Sequence, residues 1–408
     1  MRPTRNALLA ALEPASRVLL EAAEDAARAL DVGLWLVGGG VRDLAVRRPL
    51  HDVDLAFAGD PSAFVDAVAA RCPEVTVERT DRFGTATIAS DEARLDLARL
   101  RTERYVVPGA LPEVRAAKSI EADLARRDFS VNAIALELAP EVDRLIDPYG
   151  GIEDLGAGRL RVLHERSFID DATRLWRGAR TAALFDLEPD AATARLIDEG
   201  LRWTEEISGT RLWAELAYTA GRGRALGTLE RLERWGVLRS VHPGFCLAAE
   251  SAAALQRRHP MPVERFAAVL LAPLAARDAI LERFQAPGAA REVVQETARL
   301  LGAESKPDSL LGVEGASAEA RLAARWLQPE QQAELQRALR RWERTRPWLN
   351  AEQLVAMGVP RGPALGAALR GLRRGRYLGT LRTIAEARRH VRRVLASEAH
   401  WDFDEPLD

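Results

Sequence analysis

A mixed α/β region followed by an all-helical remainder is the fold class that this sequence predicts, and three observations predict it. Short strand-forming runs, closed by Gly or Asp, are confined to residues 1 to about 150. From about residue 160 onward those runs fade, and Ala, Leu, Arg and Glu recur at helical spacing. At 408 residues the chain is also too long for one small core, so two or more domains are expected.

The elements follow in order. Leu8, Leu9, Leu12, Val18, Leu19, Leu20, Ala23 and Ala26, set among charged residues, predict an amphipathic helix over residues 7–30. Leu34–Val37 reads as a strand that ends in Gly38-Gly39-Gly40, and Val53–Phe57, Thr85–Ile88 and Arg94–Arg99 read as three more. Pro61–Ala70 reads as a helix between them. In the helical remainder, Pro287-Gly288, Pro307 and Gly358 to Pro363 separate a middle section from a C-terminal one.

Composition excludes several function classes. No run reaches the roughly 18 to 20 apolar residues of a membrane helix, and acidic Glu13, Glu21, Glu24 and Asp25 follow the N-terminus too closely for a signal peptide. The expectation is a soluble, cytoplasmic chain. Cys72 and Cys246 stand far apart, without the spacing of a zinc site or a disulfide framework. The net charge of −2 says little about partners, because the charge is unevenly distributed. Almost all of the basic charge is arginine, Lys118 and Lys306 being the lysines, so phosphate contacts would be made by planar, forked donors.

Three motifs carry chemistry. Gly38-Gly-Gly-Val-Arg42-Asp43 closes a strand, and Asp52-Val-Asp54 opens another about ten residues later. Side chains two apart on a strand point the same way, so Asp52 and Asp54 would present hard oxygen ligands to one spot, a donor set suited to Mg²⁺ beside a triphosphate. Glycines admit close approach of phosphates, and Arg42 can add charge-assisted hydrogen bonds. A lone Asp-x-Asp is ordinarily a solvated strand end; it is the glycine turn beside it that changes the reading. The run does not match GxGxxG, and no P-loop Gly-Lys-Ser/Thr is present. Asp96 is either a third carboxylate or a structural partner for a neighbouring arginine.

The second motif, Asp123 to Ala133, includes Arg126-Arg127-Asp128-Phe129 and then Asn132, and places arginine where it can hold a triphosphate or ribose. The third, Phe168 to Arg180, sets Asp171, Arg174, Arg177 and nearly Arg180 along a drifting helix face. Cytosine and adenine each show an amino donor beside a ring-nitrogen acceptor on their pairing edge, whereas uracil and guanine reverse that order. Asp171 accepts and Arg174 donates, so the pair would bind CTP and ATP and leave unsatisfied groups against UTP or GTP. The same spacing also suits a plain i,i+3 salt bridge.

In this order the three motifs resemble the class II CCA-adding enzyme and bacterial poly(A) polymerase family of the DNA polymerase β superfamily, over roughly residues 30 to 185. Ile146-Asp-Pro-Tyr-Gly-Gly-Ile-Glu-Asp-Leu155 and Arg161-Val-Leu-His164 belong to the same likeness, and Ile207 to Leu216 looks like the family's neck segment. The resemblance implies Asp52 and Asp54 as metal carboxylates, Gly39, Arg42 and Arg127 as nucleotide contacts, and Asp171, Arg174 and Arg177 as the base-reading helix. It implies an α+β nucleotidyltransferase head over 1–150, a neck over 151–220, a helical body over 221–345 and a basic helical tail over 346–408. The implied activity is Mg²⁺-dependent addition of C and/or A to the 3′ end of tRNA from CTP and ATP, with CC-only or A-only addition as alternatives.

Two departures bear on this. Asp170 stands where the family usually has Glu, and Arg101 to Glu113 lacks the His-Arg-Arg-Pro pattern of many full CCA-adding members. The poly(A) polymerase branch is disfavoured, since Asp81-Arg-Phe-Gly-Thr85 replaces its basic Gly-Arg/Lys-Arg/Lys-Phe segment. Near the C-terminus Arg370, Arg373, Arg374, Arg376, Arg382, Arg388, Arg389, Arg392 and Arg393 face the lone acid Glu386, a composition that attracts a polyanion by counterion release. Aromatics are sparse among them, which favours recognition of RNA by shape. No motif points to a membrane or to a protein partner.

Overall fold

The structure, a computed structural model, describes residues 2–50, 53–72, 74–80, 84–109, 111–221, 223–256, 260–302, 316–328 and 333–396. The chain divides into two compact units, one formed by 1–246 with 282–285 and the other by 247–281 with 286–408.

The first unit is built on a seven-stranded mixed sheet in the order β3-β4-β5-β2-β1-β8-β9. Its strands are β1 (Leu34–Val37), β2 (Asp54–Phe57), β3 (Thr76–Thr80), β4 (Thr85–Ala89), β5 (Arg94–Arg99), β8 (Ala135–Ala139) and β9 (Leu145–Ile146). A separate antiparallel hairpin joins β6 (Arg101–Arg104) to β7 (Glu113–Ala116). The four strands expected from the sequence are all present. The sequence reading overlooked β8, although it lies inside the sheet with every residue buried. Its Ala-Leu-Glu-Leu-Ala composition favours a helix, and burial on both faces overrides that preference.

The single helix expected over 7–30 is two, Arg5–Ala11 and Pro14–Leu30. Pro14 is the cause: it has no N–H to continue a helix, but it suits the first turn of a new one. Arg5 clamps the second helix by a bidentate pair to buried Glu24, at 2.7 and 2.6 Å. Pro61–Ala69 is helical as expected, with Asp60 accepting from the Ala63 amide at 2.8 Å as its N-cap.

Strand alternation explains how the sheet places the site. Leu34, Leu36, Leu55, Phe57, Leu95 and Leu97 point to one face, into a core shared with the helices Pro14–Leu30 and Pro61–Ala69. Trp35, Val37 and Ala56 point to the other, against Ile120 and Leu124. With a period of two, Asp54 falls on the same face as Ala56. The parallel pairing of β2 with β5 then sets Asp54 in register with Asp96.

After the sheet the first unit is helical except for a two-residue parallel pair, Arg159–Leu160 with Glu188–Pro189, which the sequence reading did not anticipate. The described part of the second unit is helical. Val263–Leu271, Gly288–Gly302 and Ala318–Leu327 pack together, and a smaller core of Leu349, Leu354, Leu372, Leu381 and Val391 gathers its last helices. Asn350 and Gln353 form a capping box at the start of that last group. Among the described residues no helix is long and apolar enough to cross a membrane.

Candidate active site

The chain passes from β1 into the helix Gly39–Ala45 through Gly38, whose φ of +64° is left-handed. A side chain there would be strained and would also collide with Arg127, since a Cβ would lie 2.7 Å from its Nη1. Arg127 is thus packed directly on the glycine turn. Its Nη2 donates to Asp123 at 3.0 Å, and Asp123 also receives Arg126 Nε at 3.0 Å and the Arg101 amide at 3.1 Å. Burial alone would push the Asp123 carboxyl up; the two arginines and the amide outweigh it and hold it below its ordinary value.

A second buried carboxylate, Asp128, organises further arginine and amide groups of the cavity lining. Asp128 is 2% exposed. It accepts from Arg177 Nε at 2.8 Å and Asn132 Nδ2 at 3.0 Å. Despite burial, which opposes ionisation, these partners bring its pKa down to about 2, and Asp128 in turn raises that of Arg177. Asn132 Oδ1 accepts from Arg42 Nη1 at 2.5 Å, while the Arg42 guanidinium lies 4.2 Å from the centre of the Phe185 ring. Arg42, Asn132, Asp128 and Arg177 therefore form one hydrogen-bonded chain linking all three motifs.

The helix Thr173–Phe185 buries Leu175, Trp176, Ala179 and Ala182 and turns Arg177 and Arg180 the other way. The short helix Ser167–Asp170 ends before it, so Asp171 is not within a continuous helix with Arg174 as the spacing suggested. Its extended backbone lets the carboxylate close a turn onto the first residue of the next helix, where Oδ1 accepts from the Thr173 amide at 3.0 Å and Oγ1 at 2.7 Å. The ion-pair partner of Asp171 is Arg211, at 2.7 Å. Arg211 also donates to the carbonyl of Gly109 in the β6–β7 loop, at 3.1 Å. Arg174 is 5% exposed, and it donates to Ser167 Oγ at 2.9 Å and to the Arg126 carbonyl at 2.8 Å.

Gly178 lets Phe129 of the second motif seat against this helix, for a Cβ would come within 2.7 Å of the Phe129 ring, which is fully buried. Gly178→Ala should therefore lower the urea midpoint of unfolding. The helix-propensity gain of about 1 kcal/mol is smaller than the roughly 1–3 kcal/mol of overpacking. A midpoint that rises would show that the ring can yield. The Ile146–Leu155 and Arg161 segments brace the same region: Asp154 accepts from Ser130 Oγ at 2.6 Å and pairs with Arg161 at 2.7 Å.

Gly39, Arg42, Asp54, Arg127, Asp171, Arg174 and Arg177 all line one cavity of about 820 Å³. Asp52 lies outside the described residues. Asp54 begins β2 with its side chain exposed. Asp96, its neighbour on β5, accepts from Thr87 Oγ1 at 2.6 Å and is paired with Arg94 at 3.0 Å. Among the described residues, eight arginines and five carboxylates stand in the cavity wall, a balance that attracts a polyanion.

Sequence reasoning did not single out Glu103, Tyr105 and Arg211. Glu103 accepts from Arg101 at 3.0 Å, Arg126 at 2.8 Å and Tyr105 at 3.0 Å. Burial, reinforced by Glu103, pushes the Tyr105 phenol up to about 12. The alternation Arg101-Thr-Glu-Arg104 was the available signal for Glu103, and nothing local marked Arg211, whose partner is 40 residues away.

Known proteins resemble the chain in the same places. The description Poly A polymerase head domain belongs to the family profile that matches residues 34–161. A CC-adding tRNA nucleotidyltransferase of Deinococcus radiodurans is 34% identical over 374 residues, which span 90% of this chain and 91% of that one. An A-adding tRNA nucleotidyltransferase of Halalkalibacterium halodurans is 43% identical over 180 residues, 44% of this chain and 42% of the relative's length. Among solved structures, the Thermotoga maritima CCA-adding enzyme complexed with tRNA shares the fold with a TM-score of 0.68 and 22% identity, covering 97% of this chain and 99% of that one.

Proposed function

This chain belongs to the class II CCA-adding family of tRNA nucleotidyltransferases, and on that premise we propose that it adds C and/or A nucleotides to the 3′ end of tRNA, using CTP and ATP and releasing pyrophosphate. The observation that carries the reading is the meeting in one cavity of a strand-borne carboxylate, an arginine-lined glycine turn and the Asp171–Arg174 pair. Arg42 and Arg127 bind the triphosphate, each held in place by an amide or an acid so that little reorganisation accompanies binding, and Arg177, held by Asp128, belongs to the base-reading helix. Asp171 and Arg174 read the base. The bonds holding Asp171 converge on Oδ1, which orients Oδ2 to accept the exocyclic amine of cytosine or adenine.

An exposed carboxylate facing a triphosphate cavity fits a divalent cation of the Mg²⁺ type, which Asp54 would hold together with Asp52. Such an ion, when bound, supplies charge neutralisation for the leaving pyrophosphate and acidifies the attacking hydroxyl. The division into head 1–150, neck 151–220, body 221–345 and tail 346–408 is proposed on the same basis, as is work in the cytoplasm.

For the RNA, the basic second unit offers a basin of about 450 Å³ among Arg337, Arg340, Arg341, Arg344 and Arg376. Arg341 donates to the Tyr377 carbonyl at 2.7 Å, and the Arg376 guanidinium lies 3.9 Å from the Trp348 ring centre. Carbonyls and rings steady a guanidinium without cancelling its charge, which leaves it able to bind backbone phosphate.

CC-only addition is the second reading, favoured by similarity along nearly the whole chain to the CC-adding relative. Transcripts ending before the tail, after one C and after two, offered CTP or ATP singly and together, decide between them. Extension to CCA with both nucleotides supports the full activity, and arrest at CC with CTP and ATP both present, with no A added to the transcript that ends after two C, supports the second reading. No extension of any transcript would reject both.

A further inference from the structure

Three acceptors steady Arg174, and one of them can change its charge. Ser167 Oγ and the Arg126 carbonyl do not titrate in the working range; the third, His164 Nε2, stands 3.5 Å from Arg174 Nη1. Arginine has donors only, so the ring nitrogen facing it must carry its lone pair, which puts the imidazole proton on Nδ1. The backbone around the ring is pinned. Val162 bridges to Phe129, the Arg161 carbonyl accepts from the Ser130 amide at 2.9 Å, and the His164 carbonyl accepts from the Ser167 amide at 3.1 Å. The imidazole is half-buried and is thus held against Arg174 by the same segments that carry the second and third motifs.

Given the role of Arg174 as a base reader proposed above, we propose that neutral His164 is a positioning residue for nucleotide selection. Its lone pair keeps the guanidinium in the orientation that donates to cytosine or adenine, and protonation of the ring turns that support into repulsion. The charged groups acting on the ring among the described residues are Arg174 on the following helix and Asp170 and Arg166 on its own side. Burial pushes the imidazole below its ordinary value, Arg174 pushes it the same way, Asp170 opposes and Arg166 adds a smaller downward push. Arg166 and Asp170 are themselves paired at 3.3 Å. The ring is therefore neutral at neutral pH, and its protonation falls below the usual imidazole value of about 6.5.

Single-nucleotide incorporation with CTP and with UTP, measured as the ratio of kcat/KM from pH 8 down through the titration of His164 as followed by NMR, tests this; losses common to both nucleotides cancel in the ratio. The wild-type ratio should fall about tenfold toward the acid end, the scale of one hydrogen bond to a charged group lost. His164→Gln replaces Nε2 with an amide oxygen that accepts but does not titrate, and should keep the ratio level across the range. A level wild-type profile, or the same fall in His164→Gln, would overturn the proposal. Arg174→Ala at pH 8 is the separating arm. Undiminished preference for CTP there removes Arg174 as base reader and His164 with it, whereas lost preference alongside a level wild-type profile removes His164 alone.

Discussion

Asp54→Ala is expected to reduce nucleotide incorporation by on the order of 1000-fold or more, because the metal clamp proposed at this carboxylate would lower the barrier by several kcal/mol. Affinity for tRNA should stay within about twofold. The basic residues assigned to RNA lie in the second unit, and Asp54 is exposed at a strand end, where truncation costs little stability. Single-turnover extension with labelled CTP, set beside filter binding of the same transcript, checks both halves. Turnover near that of the wild type would take Asp54 out of the metal site. Parallel loss of tRNA binding would mean that the residue supports structure.

Asp171→Asn carries the second large effect, and its sign follows from the hydrogen bonds. The Thr173 amide and Arg211 both donate to Oδ1, so the new side chain must turn its oxygen toward them and its NH₂ into the other position. An acceptor for the exocyclic amine becomes a donor. Use of CTP and ATP should then fall by on the order of 100-fold, the scale at which a site rejects a ligand that leaves its polar groups mispaired. UTP, with a carbonyl at that place, should lose less, so the CTP-to-UTP preference collapses even though Arg174 still opposes the uracil ring N–H. Steady-state kcat/KM for the four nucleotides on a transcript lacking the tail reads this directly. A preserved preference would place base selection elsewhere in the cavity.

The residues that line the candidate cavity were largely legible because they fall in short motifs whose members are near one another in the chain. Gly38 to Arg42, Arg127 and Arg174 to Arg177 are each carried by one turn or one helix, and backbone geometry at that range follows from residue type. The strands Leu34–Val37 and Arg94–Arg99 were legible for the same reason, being apolar or alternating runs with clear ends. What escaped was decided at longer range. The Ala-Leu-Glu-Leu-Ala of β8 becomes a strand only because β1 and β9 flank it. Nothing in the second motif marked Asp128 as the partner of Arg177, 49 residues on, which burial joined to it.

The residues alone pointed to the side chains proposed to do the chemistry, because carboxylate spacing on a strand, glycine at a turn and an acceptor–donor pair three residues apart are local properties. Only the tertiary structure decided who holds them. Asp171 turned out to be restrained by Arg211 and its own helix start, and Arg174 by Ser167, His164 and a backbone carbonyl. Arg211 and the Arg126 carbonyl stand 40 and 48 residues from the side chains they hold, brought there by burial, and pairings of that kind depend on packing, which no local spacing encodes.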